Sequence, residues 1–393
     1  MRNENVAILD VRSYEVTFFL GSKGVNDTFM FSGSHTEKYD GFSKDGFLSV
    51  ESFRRAVVSA VTMVRQNFEG VIGEIYVGVP SAFLSVATKG HTLSFPKKRK
   101  LSAQDVDALY ESGLNGLLAN GVCVRRSDMY FTLGDNRKYF EAKDIYGVPT
   151  TLLQGALCYY FVEDGFYDLV KGLLNDLDFE NVYFLPTNLA QSLYLLPAKK
   201  REGYAFLLDI GFLTTSISVV YGNGVVREET FNGGIASILV SLMERFNVDY
   251  DLAEEILLSA NVSGGGVPKA LTWTSERGEN AFSVQAINDT IKFALDELCE
   301  HVENFFEKHY KEKYATVFAV NPISVTGEGV GKIAGVAEHI SKRLNRLTEV
   351  VVPDLPYYDK PDYSSKIALL NMATIDGKKR GVFQRLFKLG GNK

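Results

Sequence analysis

Cysteine is scarce in this chain: three among 393 residues, at Cys123, Cys158 and Cys299. None belongs to a C-x-x-C pair and no histidine cluster accompanies them, so neither a disulfide framework nor a zinc site is expected. Long apolar runs are missing as well. No stretch approaches the ~18 uninterrupted apolar residues of a membrane-spanning helix, and the opening MRNENVAILDV fits a first strand better than a signal peptide. Positive charge is not in excess. The 42 Lys and Arg against 48 Asp and Glu leave a net charge of −6, which disfavours a broad nucleic-acid surface. The expectation is a cytoplasmic globular protein, 46% apolar and long enough for two or three domains.

What the chain does have is a repeated order of elements. Residues 5–11 and 14–20 read as strands with a polar break at Arg12-Ser13, followed by a helix over 51–68 and the strand EIYVGVP (74–80). This β-β-α-β order suggests an α/β layer fold. Next come a basic loop, FPKKRK, and a helix capped by Ser102 with Asp105 at its third position. A hairpin over 122–133 and 138–147 and an apolar alternation at 150–162 complete what reads as an inserted subdomain, 84–162. Residues 165–196 give helix, the strand NVYFLP, then the helix TNLAQSLYLL.

The pattern then starts afresh. Strand–Asp–turn–strand at 6–20 recurs at 204–221, in YAFLLDI and SISVVYG, with VVREETFNGG behind it. Helices are predicted over 235–261 and 284–313, and TVFAVNPISVTGEGVGKIAGVAEHISKRL reads as strand, Gly turn and helix. EVVVPDLP reads as a late strand, SSKIALLNMAT as a helix and the remainder as a basic tail. Two related halves would set two aspartates and two turns face to face across a cleft.

Glycine turns at strand ends expose N–H groups that bind phosphate where a side chain would block approach. The candidates are Asp10 with Ser13; Asp209 and Gly211 with Thr214 and Thr215; Gly233-Gly234 at a helix entry; and Gly327 with Gly329. None is specific alone, and their order is what carries weight. Asp10 and Asp209 could hold a phosphate-bound Mg²⁺ through water, since hard cations prefer oxygen; the plainer alternative is two turn-forming aspartates. In the tail, Val382, Phe383, Leu386 and Phe387 form one helical apolar stripe, flanked by Lys378, Lys379, Arg380, Arg385 and Lys388. Such a helix suits the interfacial zone of an anionic membrane, and several copies in an array would be needed for stable attachment. Its alternatives are a helix docked on the protein's own body or a partner-binding peptide. The PKKRK run at 96–100 reads as a solvated loop, or one facing lipid or a polymer neighbour.

Taken together, these motifs resemble the bacterial division family FtsA, of the actin/Hsp70/sugar-kinase superfamily, over nearly the whole chain. VAILDVRSYEVTFFL resembles the first phosphate motif and LLDIGFLTTSISVV the second. FNGGIASILVSLMERF with Ala253-Glu254-Glu255-Ile256 resembles the helix and A-E-x-I segment, and ISVTGEGVGKIAGV the adenosine motif. The resemblance implies an α/β, actin-like (ribonuclease H-like) duplicated two-domain fold with an FtsA-type insert and a C-terminal amphipathic helix. Domain I would comprise 1–83, 163–200 and a closing segment 354–377, with the insert at 84–162. Domain II would comprise 201–235 and 315–353 with a helical part at 236–314, leaving 378–393 as the tail. It implies ATP and Mg²⁺ at the residues above, including Glu254. It further implies filaments at the cytoplasmic face of the membrane at the division site, an FtsZ C-terminal peptide docked around 236–314, and other divisome partners. A PilM-like or paralogous scaffold is the alternative, and a sugar- or acid-kinase relative a remoter one.

The departures bear on nucleotide. Arg12 stands at the first motif's glycine, Phe212 and Leu213 at the second's, and Ser216 where an acid is frequent; Glu328 interrupts the adenosine glycines. Thr187 stands about where the family carries a glutamate near the attacking water, and Leu257 about where it carries a lysine. Phosphoryl transfer depends on positioning and charge, so weak or absent hydrolysis is expected, with a binding cleft retained.

Overall fold

A computed structural model of the chain describes residues 5–24, 28–70, 72–117, 119–263, 270–275, 278–310 and 321–390, the side chains of 273–280 and 378–390 excepted. The first half opens with β1 (Val6–Val11), β2 (Glu15–Lys23) and β3 (Phe29–Lys38), then the two-residue β4 (Phe42–Ser43) and β5 (Gly46–Phe47), α1 (Val50–Gln66) and β6 (Glu74–Val79). β3 was not expected: it lies at the sheet edge, and its polar, glycine-bearing sequence alternates only between exposed and half-buried positions. Ser49 starts α1 by accepting from the Ser52 N–H, and Phe53, Ala56, Val57, Ala60, Val61 and Val64 form its buried stripe.

β7 (Leu84–Lys100), α2 (Ala103–Leu114), β8 (Val122–Thr132) and β9 (Pro149–Val162) follow, and the three strands form a separate antiparallel sheet in the order β7-β9-β8. Two expectations are corrected here. The PKKRK run is the end of β7 rather than a loop, because Arg99 and Lys100 pair with Thr150 and Pro149 after a register shift. Residues 138–147 form no hairpin arm; only Tyr139 bridges to Phe131, and a short 3₁₀ turn takes the remainder. At the head of α2, the Asp105 carboxylate accepts from both the backbone N–H and the hydroxyl of Ser102.

α3 (Asp164–Asp176), β10 (Asn181–Pro186), α4 (Thr187–Leu195) and α5 (Ala198–Arg201) return the chain to the first sheet. The second half begins with β11 (Tyr204–Ile210), β12 (Thr214–Tyr221) and β13 (Gly224–Asn232). It continues through α6 (Ile235–Phe246), α7 (Tyr250–Ser259), β14 (Ala270–Ser275), β15 (Gly278–Ser283) and α8 (Val284–Tyr310) to β16 (Ile323–Thr326). α9 (Glu328–Lys332), α10 (Val336–Arg343), β17 (Thr348–Val350) and α11 (Ser364–Gly390) complete it. The single helix expected over 235–261 is two. Asn247 adopts a left-handed φ of 50° that ends α6, and Asp249 caps α7 by accepting from the Leu252 N–H. Residues 311–313 of the second expected helix, and 316–320 at the start of the stretch read as strand, Gly turn and helix, lie outside the described residues, while Ile323–Thr326 of that stretch forms β16.

The two large sheets share one topology. Their orders are β10-β6-β1-β2-β3 and β17-β16-β11-β12-β13, each with an antiparallel meander on one side and parallel strands on the other. Strand periodicity then assigns the faces. Ala7, Leu9 and Val11 enter the core of the first half, and Phe206, Leu208 and Ile210 that of the second. Ile8 and Leu207 turn the other way, into a shared core with Leu189 and Ala190 of α4 and Ala368, Leu369 and Leu370 of α11. Two residues beyond Ile8 and Leu207, on the same faces, come Asp10 and Asp209.

Candidate functional site

Asp10 and Asp209 therefore sit at the ends of equivalent strands, where the two halves meet. Asp10 pairs in register with Gly78 of β6, and Asp209 with Thr326 of β16. Asp10 is fully buried, and its Oδ2 accepts from the Ser365 hydroxyl at 2.7 Å. The neighbouring Ser364 hydroxyl meets Thr326 Oγ1 at 2.6 Å, so the first turn of α11 joins both sheets. Asp209 Oδ2 accepts from Gln191 Nε2 of α4 at 2.8 Å. Burial raises both carboxyls above the ordinary carboxylate range, against the pull of Ser365, Gln191 and Arg12.

The charge facing them is the chain's own. Arg12 sends one guanidinium nitrogen to Glu15 at 3.1 Å and the other across the cleft to Glu328 at 3.2 Å. Burial works against the Arg12 charge, yet Glu328, Glu15, Asp10 and Asp209 together hold it above the ordinary arginine range. Glu328 is pushed upward by burial and pulled back by the same guanidinium. Two residues read separately in the sequence as losses from two motifs thus form one ion pair.

The loop donors are spent in a similar way. The Leu213 N–H donates to Ser13 Oγ at 3.0 Å, the Gly211 N–H to the Thr214 carbonyl and the Gly233 N–H to the Leu213 carbonyl. The Gly234 N–H donates to Ser237 Oγ, and the Ile235 and Ala236 N–H groups to the carbonyls of Gly211 and Phe212. Gly234 is glycine because backbone packs on backbone: a Cβ there would lie 2.3 Å from the Gly211 carbonyl oxygen. Thr215 Oγ1 donates to the Gly233 carbonyl. The Phe212 ring stacks on Tyr14 of the opposite half, 4.3 Å between centroids and 20° between planes.

Ser13, Asp209, Gly211 and Thr214 line the cleft together with Arg12, Phe212 and Glu328; Gly233, Gly234, Glu254 and Gly329 do not. Glu254 pairs instead with Lys332 at 2.8 Å, and a Cβ on Gly329 would collide with Ile210. Gly327, at a φ of 95°, packs so closely on Asp209 that a Cβ there would lie 2.1 Å from Asp209 Oδ1. The free interior is about 70 Å³, against roughly 300–1,000 Å³ for typical small-molecule sites. In this arrangement the residues present do not fit a nucleotide phosphate: the free space is small, the Arg12 guanidinium lines it in a pair with Glu328, and Phe212 and Leu213 fill the second turn, where the Gly211 and Leu213 N–H groups are already engaged. Among the described residues no group of three or more His, Cys, Asp or Glu is arranged to hold a metal ion.

Sequence reasoning missed Gln191, Asn188, Tyr14 and the Ser364-Ser365 pair. Asn188 Nδ2 reaches from α4 to Ser216, Ser218 and Glu228 at 3.1, 3.0 and 3.2 Å. The polar face of α4, Thr187-Asn188…Gln191-Ser192, was the available signal; it reads as a helix that buries polar side chains. The tail residues Val382, Phe383, Arg385, Leu386, Phe387 and Lys388 have helical backbone, and their side chains lie outside the described residues. No described helix is long and apolar enough to cross a membrane.

Solved structures match nearly the whole chain, three of them as follows. A chain of the PilM–PilN type IV pilus biogenesis complex gives a TM-score of 0.60 at 11% identity, covering 95% of this chain and 99% of the other. MreB5 of Spiroplasma citri bound to AMPPNP gives 0.58 at 8%, covering 98% and 99%. The ethanolamine utilization protein EutJ of Carboxydothermus hydrogenoformans gives 0.51 at 9%, covering 95% and 90%. All three belong to the actin-like ATPase superfamily, and the two-domain actin-like fold is the fold of this chain. No family model matches the sequence, and no curated protein does.

Proposed function

We propose that the chain is a non-hydrolysing actin-fold scaffold of the FtsA type, held at the cytoplasmic face of the membrane by its C-terminal helix. There it self-associates into filaments and tethers the FtsZ ring through the FtsZ C-terminal peptide at the division site, with other divisome proteins as further partners. The observation that carries the membrane reading is the continuity of α11. Ile367–Leu370 are buried between the two sheets, Asp376 pairs with Arg125 of β8, and the backbone stays helical to Gly390. The basic amphipathic segment thus extends a rooted helix by roughly 20 Å at 1.5 Å per residue. A rigid root lowers the ordering cost that a loose tail would meet at a surface.

Loss of hydrolysis follows from the cleft. Thr187 stands about where the resembled family carries a glutamate near the attacking water, and the Gly211, Leu213, Gly233 and Gly234 N–H groups already have partners within the chain. A second reading, a PilM-like scaffold with another partner, is favoured by the likeness to the PilM–PilN complex.

Liposome co-sedimentation tests the tether. The intact chain should pellet with vesicles containing anionic lipid while a chain ending at Gly377 stays in the supernatant; equal pelleting removes the membrane role. Capture of the FtsZ C-terminal peptide separates the two scaffolds, since a PilM-like protein should ignore it.

A further inference from the structure

We infer that this cleft is latched shut by the chain itself: Arg12 lines it together with Asp209, and its pair with Glu328 holds the halves together without a ligand. The inference concerns the cleft alone and stands whether or not the tail binds lipid.

The replacements at the nucleotide motifs are not scattered losses. Three of the replaced segments, at Arg12, Phe212-Leu213 and Glu328, find partners across the cleft or beside it. Arg12 meets Glu328; Phe212 meets Tyr14; the Leu213 N–H meets Ser13 Oγ. The Leu213 side chain lies where a Cβ on Gly41 would be 2.3 Å from it, so Gly41, at a φ of 96°, opens the space that Leu213 fills. Here a guanidinium with a planar fork of donors engages two carboxylates directly and faces two more. Its backbone is fixed as well, by the Arg12 N–H donating to the Glu15 carbonyl and by Tyr39 Oη–H donating to the Arg12 carbonyl at 2.6 Å. The rim repeats the theme, with the Lys44 N–H donating to Asn232 Oδ1 at 2.8 Å and Ser81 meeting Thr230. The closed state thus carries, as part of the chain, positive charge of the kind a bound cation would supply beside the cleft's carboxylates.

The test is hydrogen exchange by mass spectrometry on the full chain, wild type beside Arg12→Ala, each with and without millimolar Mg-ATP. In the wild type, the amides of 11–15 and 211–215 should exchange equally fast with and without Mg-ATP. In folded Arg12→Ala the same amides should exchange about tenfold faster or more, because a buried charge pair has been broken between the halves. Should Arg12→Ala not fold, the wild-type arm decides alone: protection of either loop by Mg-ATP overturns the latch, and unchanged exchange upholds it. A folded Arg12→Ala whose loops exchange at the wild-type rate also overturns it.

Discussion

Glu228 offers the most quantitative test of how the halves are joined. It lies on β13 of the second half; its Oε2 accepts from Asn188 of α4, and its Oε1 is buried without a partner. Burial raises its carboxyl from 4.5 to about 8, with Asn188 pulling the other way. The folded state therefore keeps the proton over a pH range in which the unfolded chain has released it. Stability contributed by this group is complete below the unfolded value of 4.5 and is lost as pH rises through about 8. One such group gives a slope of at most about 1.4 kcal/mol per pH unit inside that window. Glu228→Gln keeps the shape of the protonated acid and removes the titration. Urea unfolding of both proteins at several pH values should show the variant gaining on the wild type by about 1–3 kcal/mol between about pH 5.5 and 8, then holding a constant advantage. Parallel curves for the two proteins would refute the buried, proton-holding Glu228 and with it the dry junction between α4 and the second sheet.

The other predictions concern the cleft, with one control outside it. Tyr14→Ala and Phe212→Ala should each destabilise the protein, Phe212→Ala by about 3 kcal/mol, and their double variant should show a coupling of about 1 kcal/mol in chemical unfolding; additive losses would deny the stack. Ser365→Ala removes the donor to Asp10 Oδ2 and should cost about 1–3 kcal/mol by the same measurement, because Asp10 Oδ1 already lacks a partner. Gly234→Ala should cost about 3 kcal/mol or more, since its Cβ would meet the Gly211 and Phe212 carbonyls at 2.3 and 2.6 Å. Gly90→Ala, with nothing within 4 Å, should stay within about 0.5 kcal/mol in a thermal melt.

Much of the frame was legible because it depends on short-range pattern. The apolar runs VAILDV and YAFLLDI announce two central strands, and their recurrence announces two halves. Legibility failed where a segment's fate depended on its neighbours. β3 has a weak pattern of its own and becomes a strand by pairing with β2. The PKKRK run looks like a loop by charge and continues β7 because β9 offers it a partner. Asn247 breaks a helix whose apolar spacing runs through it. Residue roles in the cleft were harder still. Gly234 reads as a phosphate-loop glycine, yet its space is taken by another stretch of backbone.

By itself the sequence determined which residues could face the cleft, since a strand's period of two puts Asp10 with Ile8 and Asp209 with Leu207. It also fixed the helical stripe and charge of the tail. Only the tertiary structure decided what Arg12 and Glu328 mean. Read singly, Arg12 is a charge at the resembled motif's glycine and Glu328 a charge set between two glycines. The pair exists because the two sheets close on each other, bringing opposite ends of the chain to 3.2 Å. Local pattern fixes faces and turns, whereas partnership between distant charges is settled by packing.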